Sequence, residues 1–302
     1  MDSNKAIFTV SIDFELAWGT ADRPYAARLR RLCETERREV VDRLLGLFEE
    51  YEIRATWAIV GHLFLDQPAV TSRANPELYY ASDLIERIRR CPVEQEIGSH
   101  SFHHIEMMES ECPRARAEAD VAECVRQAAR WNIDMKTFIF PRNLVGHLDI
   151  LKRLGFACYR GPEPHWYADR RRTVRRMGHL LEILAARTPP AVMPREEGGI
   201  WNIPGSMLYT PSHGARRYLP VWMRVLRARR GLDEAVRRRQ IFHLWFHPTD
   251  LAGRVDAMIG GLRRIFDRAA RLRESGQLAI CPMRDLVPAG SFATEKEEHA
   301  FA

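Results

Sequence analysis

The sequence predicts an α/β fold in which parallel strands alternate with helices. Short β-rich runs alternate with amphipathic stretches through the first half of the chain, a pattern typical of βα units around a parallel sheet. The 302 residues are 46% apolar, which is enough for one large core. Clusters of polar residues also follow the predicted strands directly. We therefore expect a single domain over residues 1–302.

The first half of the chain contains four βα units. Residues 6–12 form the first predicted strand, and apolar side chains at helical spacing from Val40 to Tyr51 predict the helix that follows it. The same alternation then continues. The later predicted strands are 54–60, 94–97, 137–140 and 156–159, and the helices between them are 76–90, 113–131 and 145–154.

The second half of the chain is less regular. Residues 160–239 contain arginine clusters and turn-forming Pro and Gly pairs, with one predicted strand at 199–204. A segment of this length without structure of its own is uncommon in a compact domain. We interpret it as a long insertion before the last strands. Regular patterns return in the strands 241–246 and 277–281 and the helix 255–273. The core therefore spans about residues 6–288, and we expect the polar tail 291–302 to be frayed.

The composition argues against several classes of protein. The net charge is +6, but only four of the 46 basic residues are lysines. This bias suits a GC-rich genome better than a nucleic-acid partner, and no nucleic-acid-binding motif occurs. The six cysteines stand singly, so we expect reduced thiols. The first residues lack the pattern of a secretory signal, and no stretch is apolar enough to span a bilayer. We expect a cytoplasmic protein that binds no nucleic acid.

Four clusters of polar residues follow predicted strands, at residues 11–15, 98–104, 141–143 and 247–250. In a barrel or an open parallel sheet, the carboxyl ends of the strands share one face. Residues that are far apart in the sequence therefore converge there. The positions of the four clusters predict one functional site.

The second cluster contains two histidines in an H-x-x-x-H spacing, His100 and His104. Residues four apart lie on one face of a helical turn, so both imidazoles can reach one ion. With a carboxylate from another strand they form a facial set suited to Zn²⁺ or a similar divalent ion. A capped surface turn is the alternative for the pair taken alone, and His103 offers a competing register.

The first cluster contains two carboxylates, Asp13 and Glu15, at the end of the first strand. Alternation along an extended chain places both side chains on the same side. One carboxylate can then bind a metal ion while the other accepts a proton from water. The alternative is a pair that faces solvent or caps the next helix.

The order of these motifs resembles the polysaccharide deacetylase (NodB homology) family. The resemblance is carried by Asp-x-Glu at 13–15, His-Ser-x-x-His at 100–104, the arginine loop Phe-Pro-Arg-Asn at 140–143 and Leu-x-x-His at 244–247. It covers nearly the whole chain, from about residue 6 to residue 288. It implies a distorted (β/α)7-type barrel with the insertion 160–239 before the last strands.

The resemblance also implies a role for each motif residue. Asp13 resembles the catalytic base, Arg142 the arginine that orients the base, and His247 the general acid. The metal ligands implied for one divalent ion, with Zn²⁺ as the expected metal, are Glu15, His100 and His104. The family also places an aspartate and a tryptophan beside the acid histidine and the acyl pocket. The sequence offers Trp166 for the tryptophan and no clear aspartate.

The predicted function is that of a metal-dependent hydrolase that removes an N-acyl group, expected to be N-acetyl, from an amino sugar. The missing export signal favours a cytoplasmic glycan precursor, nucleotide-linked or lipid-linked, over mature polymer. Two alternatives stay open: a metal-independent hydrolase of cyclic amides or ureides on the same scaffold, and a non-catalytic module that binds glycan or lipid. The oligomeric state is left open.

The insertion suggests two further interactions. Arginines at 170–172 are predicted to hold a substrate diphosphate. The apolar and basic stretch 218–230 could lie on an anionic membrane surface or simply pack on the barrel with a solvated arginine face.

Overall fold

A computed structural model describes residues 5–20, 26–68, 75–164, 182–183 and 185–288. It confirms the predicted α/β class and the barrel, because a curled sheet of parallel strands forms a half-barrel with helices packed against it. The predicted arginine clamp at 170–172, Trp166 and the tail 291–302 lie outside the described residues.

The strands in the described part are numbered in chain order. They are β1 (Ala6–Phe14), β2 (Thr56–Ile59), β3 (Glu96–Ser99), β4 (Thr137–Ile139), β5 (Cys158–Arg160), β6 (Arg195–Glu197), β7 (Ile200–Asn202), β8 (Met207–Leu208), β9 (Ile241–Phe246) and β10 (Leu278–Ile280).

The helices of the same part flank these strands. They are α1 (Ala26–Thr35), α2 (Val41–Tyr51), α3 (Ser82–Arg89), α4 (Arg114–Arg130), α5 (Leu148–Arg153), α6 (Val221–Arg238) and α7 (Val255–Glu274). The predicted helix 76–90 is divided into a 3₁₀ turn at Pro76–Leu78 and α3. None of the described helices is long and apolar enough to cross a bilayer.

The sheet has the strand order β6-β7-β5-β4-β3-β2-β1-β9-β8, and the pairs are parallel except for β6 with β7. β10 pairs with the first half of β1, at Ala6, and β2 pairs with the second half, from Ser11 onward. Because the strands run in one direction, the carboxyl ends of β1, β3, β5 and β9 lie at the same edge. The polar clusters of the sequence follow β1, β3, β4 and β9 at this edge.

The structure corrects the interpretation of residues 160–239 as an insertion. β7 pairs in parallel with β5, and β8 pairs in parallel with β9, so this segment supplies strands to the sheet itself. It also contains α6, which contacts α7, β1 and β9. β7 lies within the predicted strand 199–204, but β8 has two residues and is too short for an alternating pattern to be recognised. The sequence therefore looked irregular where the sheet continues.

The hydrophobic core lies between the sheet and its helices. Eight of the nine residues of β1 are buried, as expected for a central parallel strand covered on both faces. Phe8 of β1 stacks on Phe242 of β9 with ring centroids 5.8 Å apart. Phe266 of α7 contacts Phe8 and Phe48 of α2. These aromatic contacts fix the central strands, on whose ends the polar clusters stand.

Candidate active site

Five predicted residues meet at the carboxyl edge of the sheet. Asp13 is the last residue but one of β1, and Glu15 directly follows the strand. His100 and His104 follow β3, and His247 follows β9. Their side-chain nitrogen and oxygen atoms form two overlapping groups, in each of which the ligand atoms lie within 4.8 Å of one another. The first group is Glu15 with His100 and His104, and the second is Asp13 with Glu15 and His247.

The first group has the donor chemistry of a divalent metal site. His100 Nδ1 lies 2.8 Å from the carbonyl oxygen of Ile139, and a carbonyl can only accept, so Nδ1 carries the proton. The lone pair of Nε2 in the neutral ring therefore points at Glu15 Oε1, which is 2.9 Å away. His104 Nε2 lies 3.1 Å from the same oxygen. Facing lone pairs require a cation between them, either a proton or a metal ion. The three residues therefore fit one divalent ion, with His100 held in the correct tautomer.

A loop rather than a helical turn brings the two histidines together. Residues 100–108 contain no helix, and the backbone is left-handed at Ser101 and His104, with φ values of 60° and 56°. Asp120 of α4 fixes the loop by accepting hydrogen bonds from the backbone N–H groups of Phe102 and His103, at 2.6 and 3.1 Å. Asp120 also bonds the His103 ring, whose side chain is 54% exposed. The structure therefore places His103 outside the group and resolves the competing register.

Glu15 lies against a glycine that leaves it room. A Cβ atom added at Gly19 would come within 1.5 Å of Glu15 Oε2. Burial raises the pKa of Glu15, but the charges of His104 and His247 and hydrogen bonds from His100 and His104 outweigh burial. The pKa of Glu15 is therefore held well below its usual value, and the carboxylate is ionised.

Asp13 is held by Arg160, not by the predicted Arg142. Two guanidinium nitrogens of Arg160 donate to the two Asp13 oxygens at 2.6 and 2.7 Å. Arg142 instead forms an ion pair with Glu106. The arginine loop contributes through its next residue, because Asn143 Oδ1 accepts a hydrogen bond from Arg160 at 3.0 Å. The assignment of the orienting arginine to Arg142 is therefore corrected to Arg160.

Arg160 is buried in a setting that fixes its orientation. It is 1% exposed, its guanidinium lies 4.2 Å from the ring centre of Trp245, and it donates to Ser11 Oγ at 3.0 Å. Burial raises the pKa of Asp13, but the charge and hydrogen bonds of Arg160 lower it, and so do the charges of His100 and His247. Together these groups outweigh burial. The net pKa of Asp13 lies below its usual value, so this carboxylate can accept a proton from water.

His247 faces both carboxylates and is supported from behind by Asp250. Its Nε2 lies 3.6 Å from Asp13 Oδ2 and 3.5 Å from Glu15 Oε1. Its Nδ1 lies 2.9 Å from Asp250 Oδ2, which also accepts the backbone N–H of His247 at 3.0 Å. Burial lowers the pKa of His247, but Glu15 and Asp250 raise it well above its usual value. Asp250 is ionised, since its own pKa is lowered to about 2: burial raises that pKa, but His247 and His213 outweigh burial.

Asp250 is the aspartate that the sequence did not reveal. Asp250 is N3 of a capping box in which His247 is the N-cap, and this spacing was present in the His-Pro-Thr-Asp cluster. Arg160 was visible only as the end of a predicted strand. Nothing in its local sequence distinguishes it from the other arginines.

Comparisons with known proteins found one family model and several solved structures that resemble this chain. A family model described as polysaccharide deacetylase matches residues 26–157. The match confirms the predicted resemblance to this family. No curated protein sequence matches the chain.

Three solved structures share the fold. A putative polysaccharide deacetylase from Mycobacterium smegmatis is 12% identical, with a TM-score of 0.69, 95% of this chain covered and 90% of that chain. A probable polysaccharide deacetylase from Pseudomonas aeruginosa PAO1 is 12% identical, with a TM-score of 0.65, 94% of this chain covered and 90% of that chain. Puue allantoinase is 12% identical, with a TM-score of 0.64, 95% of this chain covered and 90% of that chain.

Proposed function

We propose that this chain is a metal-dependent hydrolase that removes an N-acyl group, N-acetyl in the first instance, from an amino sugar. One observation carries the proposal. An ionised carboxylate, Asp13, and a histidine supported by an aspartate, His247, both lie beside the Glu15, His100 and His104 group. Amide hydrolysis needs a base that accepts a proton from water and an acid that donates a proton to the leaving amine. Asp13, whose pKa is lowered, suits the first role, and His247, whose pKa is raised, suits the second.

The residues divide the chemistry among themselves. Glu15, His100 and His104 would hold one divalent ion, which supplies Lewis acidity toward the acyl oxygen and toward water. Asp13 accepts the proton of the attacking water, and Arg160 keeps Asp13 ionised and oriented. His247 donates a proton to the departing nitrogen, and Asp250 holds its ring so that Nε2 faces the reacting atoms. Without that proton the amine would be a very poor leaving group.

The substrate proposed is an N-acylated amino sugar in a glycan precursor, linked to a nucleotide or to a lipid. The family description supports an acetylated carbohydrate in general terms. The nature of the linkage, Zn²⁺ as the metal, a role in surface-glycan or secondary-metabolite assembly and a cytoplasmic location stay predictions.

The test measures metal content and acyl release together. The purified chain should contain about one divalent ion per molecule and release acetate from at least one member of a panel of free, nucleotide-linked and lipid-linked N-acetyl amino sugars. A chelator should abolish release, and added Zn²⁺ should restore it. His100→Ala should lose metal and activity, whereas His103→Ala is the matched control because its ring lies in the same loop on Asp120. A folded His100→Ala variant with parental metal content would contradict the site.

Asp13→Asn separates metal binding from proton transfer. The amide keeps the size of the side chain but cannot accept the proton of water. We expect retained metal and a loss of turnover of about 10²- to 10⁴-fold. Near-parental turnover in this variant would place the base elsewhere.

A second candidate is a hydrolase that opens cyclic amides or ureides without a metal. The likeness to Puue allantoinase, with a TM-score of 0.64, favours it. The Glu15, His100 and His104 group argues against it, since such chemistry does not use these ligands. Ring opening of a cyclic ureide that survives chelation and the His100→Ala change would support this candidate over the deacetylase.

A further inference from the structure

The start of α6 and the turn before it carry an exposed aromatic and basic surface. We define the aromatic-basic face as Arg216, Arg217, Tyr218 and Trp222. Tyr218 is 75% exposed and Trp222 is 59% exposed, and in the described part of the chain the only other exposed large hydrophobic residue is Met193. Exposed residues of this kind that cluster within five positions indicate an interaction surface.

The charge of this face is uniformly positive. No Asp or Glu occurs in the sequence between Glu197 and Asp233. Arg216 and Arg217 are exposed, and within the described residues neither is paired with a carboxylate. Arg217 lies over the Tyr218 ring, 4.6 Å from its centre, so a cation and an aromatic ring are presented together. Arg217 also donates a hydrogen bond to the Tyr218 hydroxyl. Guanidinium groups without a carboxylate partner, beside Tyr and Trp, are complementary to a surface that is anionic outside and apolar beneath.

A buried arginine makes the face rigid. The Arg224 side chain is 3% exposed and donates to the carbonyl oxygens of Thr210 and Pro211 at 2.7 Å each, and to that of Arg216 at 3.0 Å. It also bonds the Leu219 carbonyl. These bonds fix the Gly214–Tyr218 turn from within. The backbone that carries the arginines and Tyr218 of the aromatic-basic face is therefore held in place by hydrogen bonds.

The same face adjoins the candidate active site through the chain. Ser212 donates both its N–H and its hydroxyl to the Asp250 carbonyl, each at 2.8 Å. His213 Nε2 lies 3.5 Å from Asp250 Oδ1. The turn that carries Tyr218 begins with the next residue, Gly214. A short stretch of chain therefore joins this face to the residues that contact Asp250.

From these observations we infer that the aromatic-basic face docks the protein on an anionic phospholipid bilayer. Tyr and Trp rings suit the interface between headgroups and acyl chains, where one end of the ring is apolar and the other is hydrated. The arginines add attraction to anionic headgroups. The inference does not depend on the proposed function, because docking on a bilayer is measured without substrate.

The experiment measures binding of the full chain to vesicles. Vesicles of phosphatidylcholine alone are compared with vesicles of equal parts phosphatidylcholine and phosphatidylglycerol, by co-sedimentation at low and high salt. We expect binding to the anionic vesicles only, weakened by salt because the attraction is screened. Quenching of tryptophan fluorescence by brominated lipid should be present in the parent and reduced in Trp222→Phe, which reports contact at the proposed ring itself.

Paired variants separate the aromatic and the charged parts of the face. Tyr218→Ser with Trp222→Ser should weaken binding about tenfold or more, and Met193→Ser is the apolar control away from the face. Arg216→Gln with Arg217→Gln should weaken binding about 30-fold at low salt. Arg89→Gln with Arg90→Gln removes two exposed arginines at the carboxyl end of α3, where both are paired with Glu86, and should have a much smaller effect.

Several outcomes would overturn the inference. Unchanged binding in the Tyr218 and Trp222 variant, equal losses in the α3 control, or equal binding to uncharged vesicles would each remove the face from membrane docking. Binding to a single-stranded nucleic acid without binding to vesicles would assign the basic residues to a different partner. Circular dichroism spectra that match the parent exclude misfolding as the cause of any loss.

Discussion

Two histidines on one strand of this protein have opposite properties. His243 lies in the middle of β9 and His247 lies directly after its end. Burial lowers the pKa of both rings. The pKa of His243 falls to about 3, because burial and the nearby charge of Arg160 act in the same direction. The pKa of His247 instead rises well above its usual value, because Glu15 and Asp250 outweigh burial.

The difference shows that the neighbours of a buried group, rather than burial itself, decide its charge. His243 is a neutral structural residue: its Nδ1 donates to the Pro204 carbonyl at 3.1 Å, and its Nε2 accepts from Ser11 Oγ at 2.8 Å. Arg160 disfavours a proton on His243 and on Asp13 alike. A single buried guanidinium thus makes Asp13 a base and His243 inert. The carboxylates at the edge of the sheet make His247 a proton donor.

The largest effect is expected from removing the charged member of the pair. His247→Ala should lower hydrolysis of an N-acetyl amine about 10²- to 10⁴-fold, because the leaving nitrogen loses its proton source. Hydrolysis of an activated ester, whose leaving group needs no proton, should fall far less. The ratio of the two rates in variant and parent is the measurement. Equal losses on both substrates would give His247 a structural role like that of His243.

The neutral member of the pair should instead affect stability in acid. The pKa of His243 is about 3 in the folded protein, below the ordinary histidine value of 6.5. The contribution of neutral His243 to the stability of the fold is therefore complete above pH 6.5 and is lost as the pH falls toward about 3. The loss attributable to this residue between pH 7 and pH 4 is about 3 kcal/mol.

Urea unfolding of the parent and His243→Gln at both pH values tests this expectation. The glutamine cannot gain a proton, so the variant should lose less stability on acidification, whatever its stability at pH 7. The same drop in parent and variant would show that His243 does not carry the effect.

The sequence predicted the residues whose position follows from local pattern. Asp13, Glu15, His100, His104 and His247 stand at or just after strands that alternate with helices, and parallel strands bring such positions together. Their position relative to the strand ends was therefore enough to predict that they meet.

The residues that the sequence did not assign act across the fold. Arg160 is the last residue of β5 and contacts Asp13 of β1, and a contact between residues this far apart in the chain cannot be recognised from local pattern. The predicted Arg142 lies in the loop after β4 and forms an ion pair with Glu106. Asp250 was the exception, since its three-residue spacing from His247 was readable in the sequence.

A smaller loss is expected from removing the carboxylate behind the charged histidine. Asp250→Asn should lower amide hydrolysis about 10- to 100-fold, as for other residues that orient a functional histidine. The amide oxygen can still accept from Nδ1, but the negative charge that favours the protonated ring is gone. The amide-to-ester rate ratio should shift in the same direction as in His247→Ala and by less. An unchanged ratio would mean that Asp250 supports the loop alone.

The smallest effect is expected at Glu36, a buried acid that extends the comparison beyond the two histidines. Glu36 is 1% exposed, and neither of its carboxyl oxygens has a hydrogen-bond partner among the described residues. It stands at the start of a π-helical turn, Glu36–Val40, that contacts the Pro248–Asp250 turn after His247. Burial and the charge of Glu15 raise the pKa of Glu36 well above its usual value. Among the described residues, no arginine forms an ion pair with Glu36 as Arg160 does with Asp13.

Because the pKa of Glu36 is higher in the folded protein than in the unfolded chain, Glu36 destabilises the fold increasingly as the pH rises. The destabilisation from its charge is absent below the ordinary glutamate pKa of 4.5 and increases as the pH rises toward the pKa of Glu36 in the folded protein. Glu36→Met removes two unpaired buried oxygens and should raise the free energy of unfolding by about 1 to 3 kcal/mol, more at pH 8 than at pH 5. Glu36→Gln is the matched control, because it keeps the polar atoms and cannot ionise, so it should remove the pH dependence with a smaller gain. Urea unfolding at the two pH values measures the change in both variants.

Two outcomes would change this interpretation. A stabilised Glu36→Met variant with reduced amide hydrolysis would show that the unpaired acid contributes to the site. Destabilisation at both pH values would show that Glu36 has a partner, as Asp13 does.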